Sequence, residues 1–253
     1  MNAQTPSLSN KPTFTVWDLP LRLFHWLLVA AIAVAFLSSE GEGPLAGWHM
    51  VSGWVAAVLI VFRLVWGFVG GEHARFAGFI RPAHAFSHLK GLASGRAERT
   101  VGHNPAGGMA VLLMVGGVAA VVATGWIALQ GGEEDLHEVI AWSLLGLIGV
   151  HVAAVFATSI LSRENLVRAM VTGRKKTADH PEVRGVRRAG PAAFLLALAV
   201  SGAAVAGIRA LDPKAFTLQQ REAAEREGGE GGQGAEAGAQ NEGAENEQKE
   251  DRD

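Results

Sequence analysis

Two residue types are missing from this chain of 253 residues: it has no cysteine and no tyrosine. Without cysteine there are no disulfides, no thiolate-held iron–sulfur clusters and no covalent C-x-x-C-H attachment of a porphyrin. Without tyrosine, tryptophan alone must furnish any aromatic belt at a membrane surface, and Trp17, Trp48, Trp66 and Trp126 all lie near the ends of apolar blocks. A third shortage is local. The stretches 38–47 and 130–135 contain no Lys or Arg, although the whole chain carries 22 of them.

What is present is apolar sequence, 49% of the residues, against a formal charge of only −2. The apolar residues are gathered into blocks separated by charged loops, as membrane-spanning helices require. The first block opens on Asp18-Leu-Pro-Leu-Arg, with Asp18 as the helix N-cap and Pro20 in the first turn, and runs to Leu37. Ala33-Val-Ala35 resembles a signal-peptide cleavage site, but His25 and Trp26 interrupt what would be its plain apolar core. Further blocks cover 48–69, 108–129, 136–161 and, shorter and richer in Ala and Gly, 191–208. The basic loops carry Arg75, Arg81, Lys90, Arg96 and Arg99, and then Arg163, Arg168, Arg174, Lys175, Lys176, Arg184, Arg187 and Arg188; the other two loops carry Glu40, Glu42, Glu133, Glu134 and Asp135. The positive-inside rule therefore places the N-terminus in the cytoplasm and the C-terminus outside the bacterial inner membrane.

The expected architecture is an all-α membrane protein, a four-helix haem-binding bundle over 17–177 plus a fifth transmembrane helix over 191–210. Residues 1–16 form a cytoplasmic segment, 178–190 a basic cytoplasmic linker and 211–253 an acidic, disordered periplasmic tail.

Within that layout four histidines fall at two heights. His137 and His151 share the fourth span, fourteen residues apart, which is roughly 21 Å of rise and within roughly 40° of one face. His49 opens the second span at the outer end, level with His137, while His25, two turns into the first, is level with His151. Ionisable residues inside membranes are rare and functional by default. Each alone could cap a helix or bond a neighbour, but two level-matched pairs point to two bis-imidazole iron sites, which leave no open coordination position and suit electron transfer. With no cysteine available, such haems would be b-type.

Arg63 lies fourteen residues after His49, hence on the same face at the inner level. A haem propionate would satisfy its guanidinium, and snorkelling to the surface is the alternative. Arg22 reads as an interfacial anchor. Gly53, Gly146 and Gly149 either admit a porphyrin or serve helix packing. His103 and Asn104, in Gly102-His-Asn-Pro105, form either a turn and helix start or a polar lip for a quinone beside the inner haem. His84 and His88, at i, i+4, could hold a metal ion if helical but read better as part of a short amphipathic segment on the cytoplasmic surface, and His73 and His180 are loop residues with no evident partner.

These residues together resemble the bacterial cytochrome b561 family, and within it the b-type cytochrome subunit of nickel–iron hydrogenases and its stand-alone relatives. The features that carry the resemblance are Trp17-Asp18, His25-Trp26, Trp48-His49 with Gly53, Arg63-Leu-Val-Trp-Gly67, Arg75-Phe-Ala-Gly-Phe-Ile-Arg-Pro82, Gly102-His-Asn-Pro105, Leu136-His-Glu138, His151 and Asn165 to Lys175, spanning about 14–177. The resemblance implies two b haems, His25 with His151 holding the inner one and His49 with His137 the outer. It also implies electron transfer between quinone and a periplasmic partner, a c-type cytochrome or a hydrogenase-like oxidoreductase. The chain would act as an electron-transfer subunit rather than a stand-alone enzyme, with membrane lipid as its surroundings and no role for nucleic acid. The fifth span and the acidic tail lie outside the resemblance. Two other classes compete: a superoxide:quinone oxidoreductase of the same fold, which the acidic outer loops disfavour, and a haem-free scaffold or transporter.

Overall fold

A computed structural model describes residues 12–39, 47–79, 87, 90–91, 94–95, 99–181, 183 and 186–218. Glu40, Glu42, Arg81, His84, His88, Arg96, Arg184, most of the 81–90 amphipathic segment and the acidic tail from 219 onward lie outside the described residues.

In chain order the elements are β1 (Thr13–Thr15), α1 (Leu19–Leu37), α2 (Trp48–Val69), the single turn α3 (Phe76–Phe79), α4 (Pro105–Leu129), α5 (Glu134–Ser162), α6 (Leu166–Thr172), β2 (Arg174–Lys176) and α7 (Pro191–Leu211). Helices α1, α2, α4, α5 and α7 are long and apolar enough to cross a membrane. The starts follow local chemistry: Asp18 and Asn104 accept from Leu21 N at 3.0 Å and Gly107 N at 2.6 Å, each followed by proline in the first turn.

Helix α2 is the centre of the arrangement. It packs against α1, α4 and α7, while α5 packs chiefly against α4. Two apolar clusters hold this together. The mid-membrane one joins Ala31, Ala56, Ile60, Val118 and Leu144 from the four helices of the bundle. The other, at the basic-loop end, joins Val16, Trp17, Leu21, Phe24, Trp66, Ala74, Ala169 and Ala197, so α7 is docked by its small residues onto the end of α2. Trp17 and Trp66 are therefore packing residues, 7% and 1% exposed, and not members of an aromatic belt; Trp48, 39% exposed, keeps that position.

The same end is tied by a two-stranded ribbon in which Thr13 pairs with Lys176 and Thr15 with Arg174. Gly173, at φ 76°, closes α6 and bonds Val16 N and Trp17 N through its carbonyl. A Cβ there would lie 2.7 Å from the Trp17 carbonyl oxygen, so only glycine fits both the left-handed turn and the close approach.

Candidate haem sites in the membrane

The two outer histidines meet. His49 on α2 and His137 on α5 have ring centres 6.0 Å apart with planes at 84°. Each ring is oriented by its Nδ1: in His49 it faces the Ala35 carbonyl on α1 at 2.8 Å, in His137 the Val121 carbonyl on α4 at 3.0 Å. A ring nitrogen facing a carbonyl carries the proton and donates, which fixes the tautomer and leaves Nε2 as the coordinating nitrogen. Thr124 Oγ1 stands 3.3 Å from the same His137 nitrogen. Gly125 brings α4 up to the His137 ring, where an added Cβ would sit 3.0 Å from it.

The spacing is that of two imidazoles on one metal ion. Two metal–nitrogen bonds of about 2.0–2.1 Å, with each ring centre ~1.1 Å beyond its nitrogen, separate the centres by about 6 Å. Among the described residues no group of three His, Cys, Asp or Glu converges as a metal site. A bare ion would therefore be under-coordinated, whereas an iron that brings four equatorial nitrogens of its own needs only the two imidazoles. Gly53, one turn below His49 on the same face, has nothing within 4 Å of where its Cβ would be, which leaves a flat side to that space.

The inner end is different. His25 makes an edge contact with Trp26, and its Nδ1 is buried with no hydrogen-bond partner. Arg63 is 1% exposed, and both terminal nitrogens of its guanidinium are buried without a partner, while Cζ sits 4.6 Å from the Phe76 ring centre. Snorkelling is thus ruled out for Arg63; it stays inside and lacks an acceptor. Asp18, whose charge Arg63 feels, is already engaged: besides capping α1 it accepts from Trp66 Nε1 at 3.1 and 3.2 Å and from Gly71 N at 3.2 Å. This hub, legible in the sequence only as a cap, fastens α1 to the end of α2 beside the inner level.

His103 lies between Trp17 and Phe79, with ring centres 4.6 Å from each, and its Nδ1 is buried and unpaired. Burial, with the charges of Arg63, His151, His73 and His25 adding to it, pulls its pKa down to about 3, so the ring is neutral at ordinary pH. Asn104 spends its carboxamide oxygen on the α4 cap, and its amide nitrogen remains as a donor.

Three sequence readings are corrected. Gly146 and Gly149 do not border the line joining His137 and His151: they stand roughly 140–160° around α5 from it, off the site's face, and a Cβ at either would touch nothing within 4 Å, so no helix packs closely on them. Arg22 is more than a surface anchor, because it donates to the Val171 carbonyl at 2.6 Å and holds α6 against α1. His180 is not a lone loop residue. Its Nε2 is 2.7 Å from Glu164, whose other oxygen takes Lys175 Nζ at 3.1 Å, forming a buried ion cluster across 15 residues of chain that spacing alone does not reveal. His73 lies against Gly102, and burial outweighs the neighbouring Glu72 to lower its pKa, with Lys175 adding to the fall.

Between the two levels the lines joining the histidines are apolar. Ile32 follows His25 on α1, Ala56 and Ile60 follow His49 on α2, and Leu144 and Ile148 lie between His137 and His151 on α5, all within the mid-membrane cluster. A multi-pass bundle with a facing pair of imidazoles at one end and an apolar cluster beneath it has the construction of a membrane b-type cytochrome. Residues 16–173 match the family described as prokaryotic cytochrome b561, and the chain belongs to that family.

Among similar proteins, one named as a probable nickel–iron hydrogenase B-type cytochrome subunit from Azotobacter vinelandii is 28% identical over 216 residues, covering 65% of this chain and 89% of its own. Its counterpart in Cupriavidus necator is 28% identical over 220 residues, covering 68% and 90%, and that of hydrogenase 1 in Escherichia coli K12 is 26% identical over 212 residues, covering 62% and 88%. No solved structure matches. Helix α7 lies beyond the matched residues.

Proposed function

We propose that this cytochrome holds two b haems and passes electrons across the cytoplasmic membrane between the quinone pool and a periplasmic redox partner. The outer His49/His137 pair, spaced and oriented for one metal ion, carries the reading. A haem bound at each level supplies a one-electron carrier. The protein's own part is positional. His49 and His137 would hold the outer haem, and His25 and His151 the inner one, with no imidazole position left open for another ligand. Arg63 would offer its unpaired N–H groups to a propionate, which would also satisfy a buried cation. The apolar layer of Ala31, Ala56, Ile60, Val118 and Leu144 keeps water and protons out of the roughly 21 Å between the levels. On the basic side, neutral His103 and the Asn104 amide border the space where a quinone headgroup would exchange protons.

The basic loops favour a cytoplasmic inner level, and Glu133, Glu134 and Asp135 give the outer end an acidic rim. Such a rim attracts a basic carrier such as a c-type cytochrome and repels an anionic substrate such as superoxide. The relatives' names favour a nickel–iron hydrogenase as the partner.

A pyridine haemochrome assay on the purified chain tests the reading. About two b haems per chain are expected, one lost in His49→Ala or His137→Ala and the other in His25→Ala or His151→Ala. Losses that pair His25 with His49, or His137 with His151, would contradict the pairing.

A further inference from the structure

A cleft of about 370 Å³ opens beside the two-stranded ribbon, lined by Thr13, Phe14, Thr15, Arg174, Val186 and Arg188. All six lie outside the family-matched residues 16–173. By strand register Thr13, Thr15 and Arg174 share one face of the ribbon, and Phe14 between them also borders the cleft. The second wall, Val186 to Arg188, is held in place by Glu72, whose carboxylate accepts from Arg187 N at 2.9 Å and whose N–H donates to the Arg187 carbonyl at 3.0 Å. Both arginines are exposed, no acidic residue lines the cleft, and neither arginine has an ion-pair partner among the described residues.

The height of the cleft decides what it would hold. Thr15 comes four residues before α1, and Arg188 three residues before α7, so both walls end at the surface where two spans enter the membrane. The two arginines and two threonines that line this one space carry guanidinium forks and hydroxyls, which match the oxygens of a phosphodiester. At headgroup level the phosphodiester on hand is that of a lipid. We infer that the cleft binds the phosphate of an anionic membrane lipid, with Arg174 and Arg188 as the paired donors and Thr13 and Thr15 as hydroxyl partners.

The test uses the full chain in phosphatidylcholine nanodiscs doped with phosphatidylglycerol, and measures by native mass spectrometry how much phosphatidylglycerol stays bound. The double variant Arg174→Gln/Arg188→Gln is expected to retain about thirtyfold less, at roughly 1 kcal/mol per basic residue near a membrane surface. Arg168→Gln/Arg209→Gln, equal in charge but away from the cleft, is expected to retain as much as the unmodified chain. Equal losses in the two double variants, or none in either, would overturn the site, and the latter is the outcome if an acidic peptide is the true occupant. Displacement of the lipid by inorganic phosphate at matched concentration would overturn the lipid as the source. Unchanged folding of both variants is checked by their thermal midpoints.

Discussion

The two ends of the bundle are finished to different degrees. At the outer end each ring is fixed by backbone: the Ala35 and Val121 carbonyls take the Nδ1 protons of His49 and His137, and the rings already stand 6.0 Å apart. At the inner end His25 Nδ1, His103 Nδ1 and both terminal nitrogens of Arg63 are buried without partners. Buried polar groups left unpaired are costly, by roughly 1–3 kcal/mol each and more for a charge. The outer pair is thus organised by the protein alone, whereas the inner level is completed only by something that accepts hydrogen bonds there. If both levels hold haem as proposed, the outer site is pre-set and the inner one gains stability from its ligand.

That contrast can be broken at several points. The largest effect is expected from the axial histidines: His137→Ala should remove one haem and leave the fold intact, while His25→Ala should remove the other and also lower the thermal midpoint further, as read by haem content alongside thermal unfolding. Glu164→Gln comes next. It strips the buried Lys175 of its counter-charge, and loss of one partner of such a pair costs about 3–5 kcal/mol, measurable by denaturant titration with His180→Gln as the milder comparison. Arg63→Gln should weaken haem retention at the inner level by about tenfold to a hundredfold, for one or two charge-assisted hydrogen bonds, with the outer haem unaffected. Thr124→Val should do least, changing stability by under about 1 kcal/mol, since the Val121 carbonyl still holds His137.

A pH series sharpens the same comparison. His103 has its folded pKa lowered to about 3, so below the ordinary value of about 6.5 the unfolded chain takes up a proton that the folded chain refuses. Its contribution is fully present above that value and is lost as pH falls toward about 3. His103→Phe should flatten this part of the stability profile, as followed by thermal midpoints between pH 7 and pH 4.

Much of the outer site was legible in the sequence because helical periodicity is strict: fourteen residues between His137 and His151 fix both height and face, and the block boundaries at 48–69 were those observed. The first span, capped by Asp18 and ending at Leu37, was also as expected, while the last three began or ended a few residues from the expected points, as with Pro105, where the cap itself sets the start. What spacing could not show was anything joined across the chain. Asp18 reads as a cap and not as the anchor of Trp66 and Gly71, 48 and 53 residues away. Glu164, Lys175 and His180 each look like loop charges until the ribbon and the turn after it fold them together. The docking of α7 on α2 follows from Ala193, Ala197 and Ser201, small residues whose partner a hydropathy pattern does not name.

The central claim is that imidazoles from facing helices grip iron at two depths, and electron paramagnetic resonance of the oxidised, purified chain addresses it most directly. Two low-spin ferric signals of equal intensity are predicted, the outer one strongly anisotropic because its ring planes stand near perpendicular at 84°. A single low-spin signal, or a dominant high-spin signal from five-coordinate iron, would contradict it.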